Sequence, residues 1–390
     1  MNIQSDLNSN QKSLDFLLLM ENYQGSYTKA IKRDPQVSCL NYKDCSQALF
    51  AKQIYYGDTY LKAFSDQGYN VQQIVPTCVP LQYKWAAENG VWVPPQWSDK
   101  PFLQWYWRRF LKSNPEPWAI DNILTEQIKQ WQPKFLWIFS GVPITKKQLQ
   151  EWRNYVKHII LWWACPLNLG IPYSHFDLIL SGIPNLAKYF QIRGFNAAHM
   201  PHAFDPRILD KVSLPTEKIP KVGFIGSLSE SHLERILFLD QLSRQVDIDF
   251  YGSGVDLLSK DNPLRQNYYH SVWGEELYKT YASYLIVIHK NIGIAGRSFS
   301  AKRLFEATGM GTCVVTEASD DTRELFKADE EIVTFSCLEE CVEKIKYLLN
   351  HPQKAIEIGK KAQQRTLSEH TYANRVQELT SHLKEFELWD

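Results

Sequence analysis

Along most of the chain, strand-sized runs of β-branched and other apolar residues alternate with segments of helical periodicity. The first strand falls at 14–20, and its continuation through Tyr23, Gly25 and Ser26 reads as loop. A helix at 57–67 leads through Gly68 into a strand at 71–76. The pattern then breaks over about 78–117, where Pro94-Pro95 and many tryptophans suggest an insertion with short helices. Strands at 135–139, 158–163, 177–181 and 197–200 follow, interleaved with helices at 120–130, 146–155 and 185–191. Residues 206–220 hold three prolines and show no period, as expected of a linker. A second series comprises strands at 222–225, 248–251, 285–289, 313–316 and 331–335, with helices at 233–243, 275–282, 302–308 and 338–350. Helical segments at about 353–367 and 372–386 close the chain. Two such series predict an α/β protein of two facing Rossmann-like domains with parallel sheets. Ligands are then expected outside the carboxyl ends of the strands, in a cleft between the domains.

The expected organisation is a loose polar tail at 1–12, a first domain at 13–205, a linker at 206–220 and a second domain at 221–370. The last helix, 371–390, is expected to pack back on the first domain. A chain of 390 residues can bury two cores of ordinary size. Lysine plus arginine and aspartate plus glutamate number 43 each, so the overall field gives no reason to expect nucleic acid as a partner. Seven irregularly spaced cysteines do not form a disulfide framework, and no Cys/His pair completes a zinc site with Cys337 and Cys341. Without a basic-then-apolar leader, a cytoplasmic location is expected. The longest apolar run, at 159–165, is strand-sized and well short of the ~18 residues of a membrane span, which leaves peripheral membrane contact open. Eleven of the thirteen tryptophans precede residue 164. They fit a first-domain core and equally an aromatic groove for an acceptor.

The segment 286–316, IVIHKNIGIAGRSFSAKRLFEATGMGTCVVT, is the most informative. It reads as strand, polar loop, helix and strand, with the helix starting beside Arg297, Ser298 and Ser300. Free N–H groups at a helix start, with cations nearby, suit a phosphate or diphosphate. Glu306, one to two turns further on, can accept hydrogen bonds from sugar or ribose hydroxyls. Gly226-Ser227, Tyr251-Gly252-Ser253-Gly254 and Ser271-Val272-Trp273-Gly274 lie where successive strands of the second series end. Such glycines either admit a ligand to the backbone or simply make turns. Asp247-Ile248-Asp249 spells D-x-D, but at a strand entrance, and is read as a pair of solvated strand-start residues rather than metal ligands.

The phrases H-x-x-x…R-L-F-E-A-T-G-x-G-T, E-E-C-x-E-K-I-x-Y-L-L and H-T-Y-x-x-R resemble those of the CgeB-like (spore-maturation) glycosyltransferases, GT-B enzymes related to glycosyltransferase family 4. The resemblance runs from about 221 to 383. Upstream, M-P-H-A-F-D-P at 200–206 is similar to the family's L-P-x-A-x-D-P. It implies a GT-B fold with an N-terminal acceptor domain and a C-terminal nucleotide-sugar donor domain. Glu306 matches the family's ribose-binding carboxylate, with an ion pair to Lys302 or Arg303 as the structural alternative. Arg303 is implied to stabilise the diphosphate leaving group, and His289 matches a histidine that could reach the donor sugar or a phosphate. Gly226, Ser227, Tyr251, Gly252, Arg297, Ser298, Ala301 and Lys302 are the implied donor-site lining, and Val272 and Trp273 the implied base pocket. Trp273 could equally pack the sheet edge, and Asp205 could cap the turn before Pro206.

Two departures stand out. Ser298 occupies the place of the first glutamate of the E-x7-E pattern common in family 4, and Ser227 the place of an arginine. Arg235 resembles the arginine that CgeB-like members keep in this region, and Arg297, Lys302 and Arg303 could replace the lost charge. The leading expectation is a retaining, metal-independent enzyme moving a sugar from a nucleotide-diphosphate sugar to a glycan, lipid or protein acceptor, with no cofactor beyond that co-substrate. A nucleotide-sugar epimerase and a non-catalytic nucleotide- or carbohydrate-binding descendant of the fold are the alternatives.

Overall fold

The computed structural model describes residues 14–20, 25–52, 56–94, 115–230, 233–290, 301–319 and 322–389. Two six-stranded parallel sheets organise them. In the first, β1 (Phe16–Leu19), β2 (Val71–Ile74), β3 (Phe135–Phe139), β4 (His158–Trp162), β5 (Leu178–Ser181) and β6 (Ala197–His199) lie in the order β2-β1-β3-β4-β5-β6. In the second, β7 (Ile219–Ile225), β8 (Ile248–Tyr251), β9 (Tyr268–Tyr269), β10 (Tyr284–His289), β11 (Cys313–Glu317) and β12 (Val333–Phe335) lie in the order β12-β11-β10-β7-β8-β9. The central strands are apolar throughout instead of alternating. β1 (FLLL) and β3 (FLWIF) are wholly buried, as parallel strands covered on both faces require.

By contacts, one compact unit comprises Met1–Trp163, Leu167–Leu180 and Leu383–Asp390, and the other Ala164–Pro166 and Ser181–His382. In the first unit, Trp389 stacks on Phe135 with ring centroids 5.1 Å apart. In the second, the Tyr372–Glu385 helix is tied to the segment 202–204. Phe204 N–H donates to the His370 carbonyl (2.8 Å), and Arg375 Nε donates to that of His202 (3.2 Å).

Most predicted elements are present within a few residues of their expected limits. The exceptions have local causes. The sequence after 20 reads as loop, but Ser26–Arg33, Pro35–Cys39 and Tyr42–Ala51 are helices. They are short, and two are held by caps: Asp34 accepts from the N–H groups of Gln36 and Val37, and Asn41 from that of Asp44. β7 begins at Ile219 and runs through Pro220, inside the expected linker. Its register with β10 shifts between Tyr284 and Ile286, and such an irregularity at a strand start tolerates proline. The two-residue β9 carries too short a pattern to read. Residues 1–12 and most of the tryptophan-rich insertion lie outside the described residues. No helix among the described residues is long and apolar enough to cross a membrane.

His370 shows how tightly the second unit holds its buried imidazoles. Its Nε2 donates to the Leu325 carbonyl (2.8 Å), so Nδ1 must be the acceptor for Arg375 Nη2 (2.9 Å). A second proton would cost that bond and set two cations together. Burial, aided by Arg375, lowers His370 and His199 to about 4, and burial with Lys302 and Arg375 lowers His202 to about 3. An unfolded imidazole titrates near ~6.5. The stability these neutral histidines contribute is therefore fully present above that value and is lost as pH falls from it toward 4 and 3. Thermal melts should be level between about pH 8 and 7 and drop progressively below about 6.5. A melting temperature unchanged down to about pH 5 would contradict this account.

Candidate functional site

In the second sheet the strand order reverses between β7 and β10, and at such a switch point parallel α/β sheets bind ligands outside the carboxyl ends of their strands. β7 ends at Ile225, followed by Gly226 and Ser227, and β10 ends at His289, followed by Lys290. Arg235, on the Leu233–Ser243 helix, reaches across this gap. Its Nη1 donates to the Ser227 carbonyl (3.3 Å) and its Nη2 to that of Lys290 (3.0 Å). The residue is only 6% exposed, and its Nε is buried with no hydrogen-bond acceptor among the described residues.

Arg303 lies alongside, in the first turn of the Lys302–Gly309 helix. A methyl group placed on Gly226 would stand 2.6 Å from Arg303 Nη1, so the guanidinium rests on the end of β7. Among the described residues Arg303 has no hydrogen-bond or ion-pair partner, and the bonds of Arg235 go only to carbonyls. Burial and the Arg303 charge lower Arg235 to about 10, which leaves it cationic at neutral pH. Lys290, by contrast, is paired with Glu317. Two adjacent guanidinium groups without a carboxylate at the start of a helix make a receptor for an anion.

Glu306, one turn beyond Arg303, is 4% exposed. Its Oε1 takes both available donors, Lys302 Nζ at 3.0 Å and the Tyr278 hydroxyl at 3.4 Å. Oε2 makes no hydrogen bond to the described residues. The expected ion pair with Lys302 and a free acceptor oxygen thus coexist. Burial and then the Glu306 charge hold the Tyr278 phenol well above its ordinary value, so it serves only as a donor.

His289, buried at the end of β10, shares a hydrogen bond from Nδ1 with the Thr316 hydroxyl on the adjacent strand (3.0 Å). Burial, with Arg235 and Arg303 nearby, lowers it to about 3 and keeps the imidazole neutral. It lies in the electrostatic reach of both arginines.

The strand-end glycines admit protein backbone. A methyl on Gly252 would stand 1.8 Å from the Gly226 carbonyl oxygen, and one on Gly254 2.1 Å from that of Leu228. Gly226 N–H donates to the Tyr251 carbonyl and Leu228 N–H to that of Ser253, both at 2.8 Å, so the loops after β7 and β8 are zipped together. Tyr251 stacks on Tyr269 at 4.6 Å. Val272 is buried in a core cluster with Ile225, Tyr278 and Tyr281, whereas Trp273 is 37% exposed. Ala301 is the N-cap of the Lys302 helix. Arg297 and Ser298 lie outside the described residues.

The structure thus brings Gly226, Ser227, His289, Arg303, Lys302 and Glu306 to one end of the second sheet, with Arg235 among them. The roles of Tyr278 and of the Arg235 side chain had no signal in residue spacing. Asp205 accepts from Arg207 N–H (3.1 Å) and forms an ion pair with the Arg207 guanidinium (2.7 Å), a turn-capping arrangement. The D-x-D pair departs from expectation, because Asp249 is buried instead of solvated. It accepts from the Tyr284 hydroxyl at 2.7 Å and lies 3.4 Å from Lys221, which satisfy its charge, while Asp247 pairs with Lys221 at 3.1 Å. Among the described residues no group of three or more His, Cys, Asp and Glu side chains is placed to hold a metal ion.

Residues 235–381 match the family model described as "Glycosyl transferase-like". No curated protein matches the chain. Solved structures resemble it along nearly its whole length at low identity. A glycosyltransferase from Rickettsia africae ESF-5 is 11% identical with a TM-score of 0.58, covering 97% of this chain and 100% of its own. The sucrose-phosphate synthase of Thermosynechococcus elongatus is 10% identical with a TM-score of 0.56, over 96% and 100%. The Anabaena protein HepE, in complex with UDP-glucose, is 12% identical with a TM-score of 0.54, over 95% and 100%. The expected α/β architecture of two parallel sheets is therefore present, the fold is GT-B, and residues 235–381 within it are similar to the glycosyl transferase-like family.

Proposed function

We propose that the chain transfers a sugar from a nucleotide-diphosphate sugar to an acceptor of the glycan, lipid or protein class. The observation that carries this reading is the unbalanced pair Arg235 and Arg303 at the β7/β10 switch point, with the open oxygen of Glu306 one helical turn away. That spacing suits a diphosphate and the ribose attached to it. The HepE structure holds UDP-glucose, which supports a uridine nucleotide as the first donor to test.

In this reading the two guanidinium groups take the diphosphate and stabilise the charge that grows on it as the glycosidic bond breaks. Arg235 restores the charge missing at Ser227 by lodging against that residue's carbonyl. Lys302 and Tyr278 fix Glu306 through Oε1, so Oε2 accepts from ribose hydroxyls. His289, neutral and held through Nδ1, is placed to hydrogen-bond the donor sugar or a phosphate. With protein cations supplying the positive charge, the reaction proceeds without a metal ion. Retention of configuration and a CgeB-like specificity follow from the motif resemblance at 286–316 and 338–375.

Glu306→Gln removes the charge at the ribose position and should weaken UDP binding by about 1–3 kcal/mol, as for a charge-assisted hydrogen bond. Calorimetry against the dideoxyribose analogue of UDP checks the assignment. A wild-type protein that binds both equally tightly does not use Glu306 on the ribose.

Arg303→Ala should lower kcat by about 10²–10³ while weakening UDP binding far less, because its contact strengthens in the transition state. UDP release from UDP-glucose with a mixed glycan acceptor pool is the readout. Equal, small effects on kcat and on binding would leave Arg303 a structural residue. An isomerised donor with no release would identify an epimerase instead.

A further inference from the structure

A concavity of about 620 Å³ lies at the opposite, amino end of the second sheet. Pro220 and Leu285 stand there at the starts of β7 and β10, and Gly311 leads into β11. The rest of its wall comes from the segment before β7, the C-terminal ends of the Glu275–Ser283 and Lys302–Gly309 helices, and the first turns of the Pro352–Glu369 helix. None of these residues belongs to the arginine site.

The lining combines two chemistries. Leu214, which is 52% exposed, and the half-buried Ile356 present apolar surface over the buried Leu285 and Met310, and Lys218 and Lys360 present ammonium groups. Lys218 Nζ donates to the Ala282 carbonyl (2.8 Å) and to the Thr312 hydroxyl (3.4 Å), but forms no ion pair among the described residues. Burial lowers this ammonium to about 8, the sign of a cation held without its counter-charge. Such a group gains from an anion brought to it, and the apolar wall gains from covering by a hydrocarbon or aromatic body. Glu217, the acid in the lining, is exposed and does not pair with Lys218.

We propose that this concavity is a second ligand site, for an amphipathic organic anion whose charged head meets Lys218 and whose apolar body lies on Leu214 and Ile356. The site is independent of the nucleotide reading. The concavity is also lined by Met310 and Gly311, at the C-terminal end of the helix that carries Arg303 and Glu306.

Anilinonaphthalene sulfonate, an aromatic anion that brightens in apolar surroundings, is the probe. The native protein should bind it saturably at a single class of site. Lys218→Met, which keeps the aliphatic stem, should weaken the dye about tenfold, roughly the value of one charged contact. Ile356→Trp, at a partly exposed position, should fill the concavity and abolish binding. Saturating UDP should leave the dye in place. Unchanged dye affinity in Ile356→Trp, with a native-like melt, overturns the proposal, as does displacement by UDP. Should Lys218→Met fail to fold, the exposed Lys360→Glu replaces it and is expected to weaken the dye, an unchanged affinity counting against the site. If UDP proves not to bind at all, the variants still decide the question.

Discussion

The second sheet is organised around a charge it does not balance. Arg235 is almost wholly removed from water, two of its donors go to strand-end carbonyls while its Nε has no acceptor among the described residues, and Arg303 lies beside it with no carboxylate among the described residues bonded to either. Desolvating a guanidinium near a like charge costs several kcal/mol unless something of opposite sign arrives. That cost explains the neighbouring arrangements. His289 stays neutral, Lys290 is neutralised by Glu317, and Glu306 is turned toward Lys302 and Tyr278. The vicinity keeps its spare positive charge on the two groups that converge on the β7/β10 gap.

Much of this was legible because it is contiguous. The segment 286–316 carries strand, helix start, Arg303 and Glu306 in order, and the second series of strands reads plainly from its apolar runs. Arg235 was different. It sits on a helix whose spacing says nothing of where a long side chain goes, and its value lies in two carbonyls 8 and 55 residues away. Tyr278 reaches Glu306 from 28 residues upstream and left no local pattern either. Contacts of that range are products of topology, and periodicity reports only neighbours.

The glycines teach a related lesson. Read along the chain, Gly226, Gly252 and Gly254 are either openings for a ligand or plain turns, and in space the loops after β7 and β8 close on each other with carbonyl oxygens where side chains would be. Their smallness still serves the site, since Gly226 leaves the room that Arg303 occupies. Asp249 misled in the opposite direction. A carboxylate at a strand entrance was read as solvated, yet a tyrosine on β10 and a lysine on β7 bury and satisfy it.

The pairing of β7 with β10 has a consequence for the order in which the molecule is made. Lys218, just before β7, bonds to the carbonyl of Ala282, 64 positions later, and β8 and β9 are threaded between the two strands in sequence but not in space. Closing so long a loop is entropically slow, and local helices and the β7–β8 neighbour pair form without waiting for it. The arginine receptor does not exist until that closure occurs. A chain arrested before it would hold Arg235 and Arg303 far apart, each hydrated and with no repulsion to resolve. The electrostatic strain that defines the site is thus acquired late in folding, at the step that joins β10 to β7.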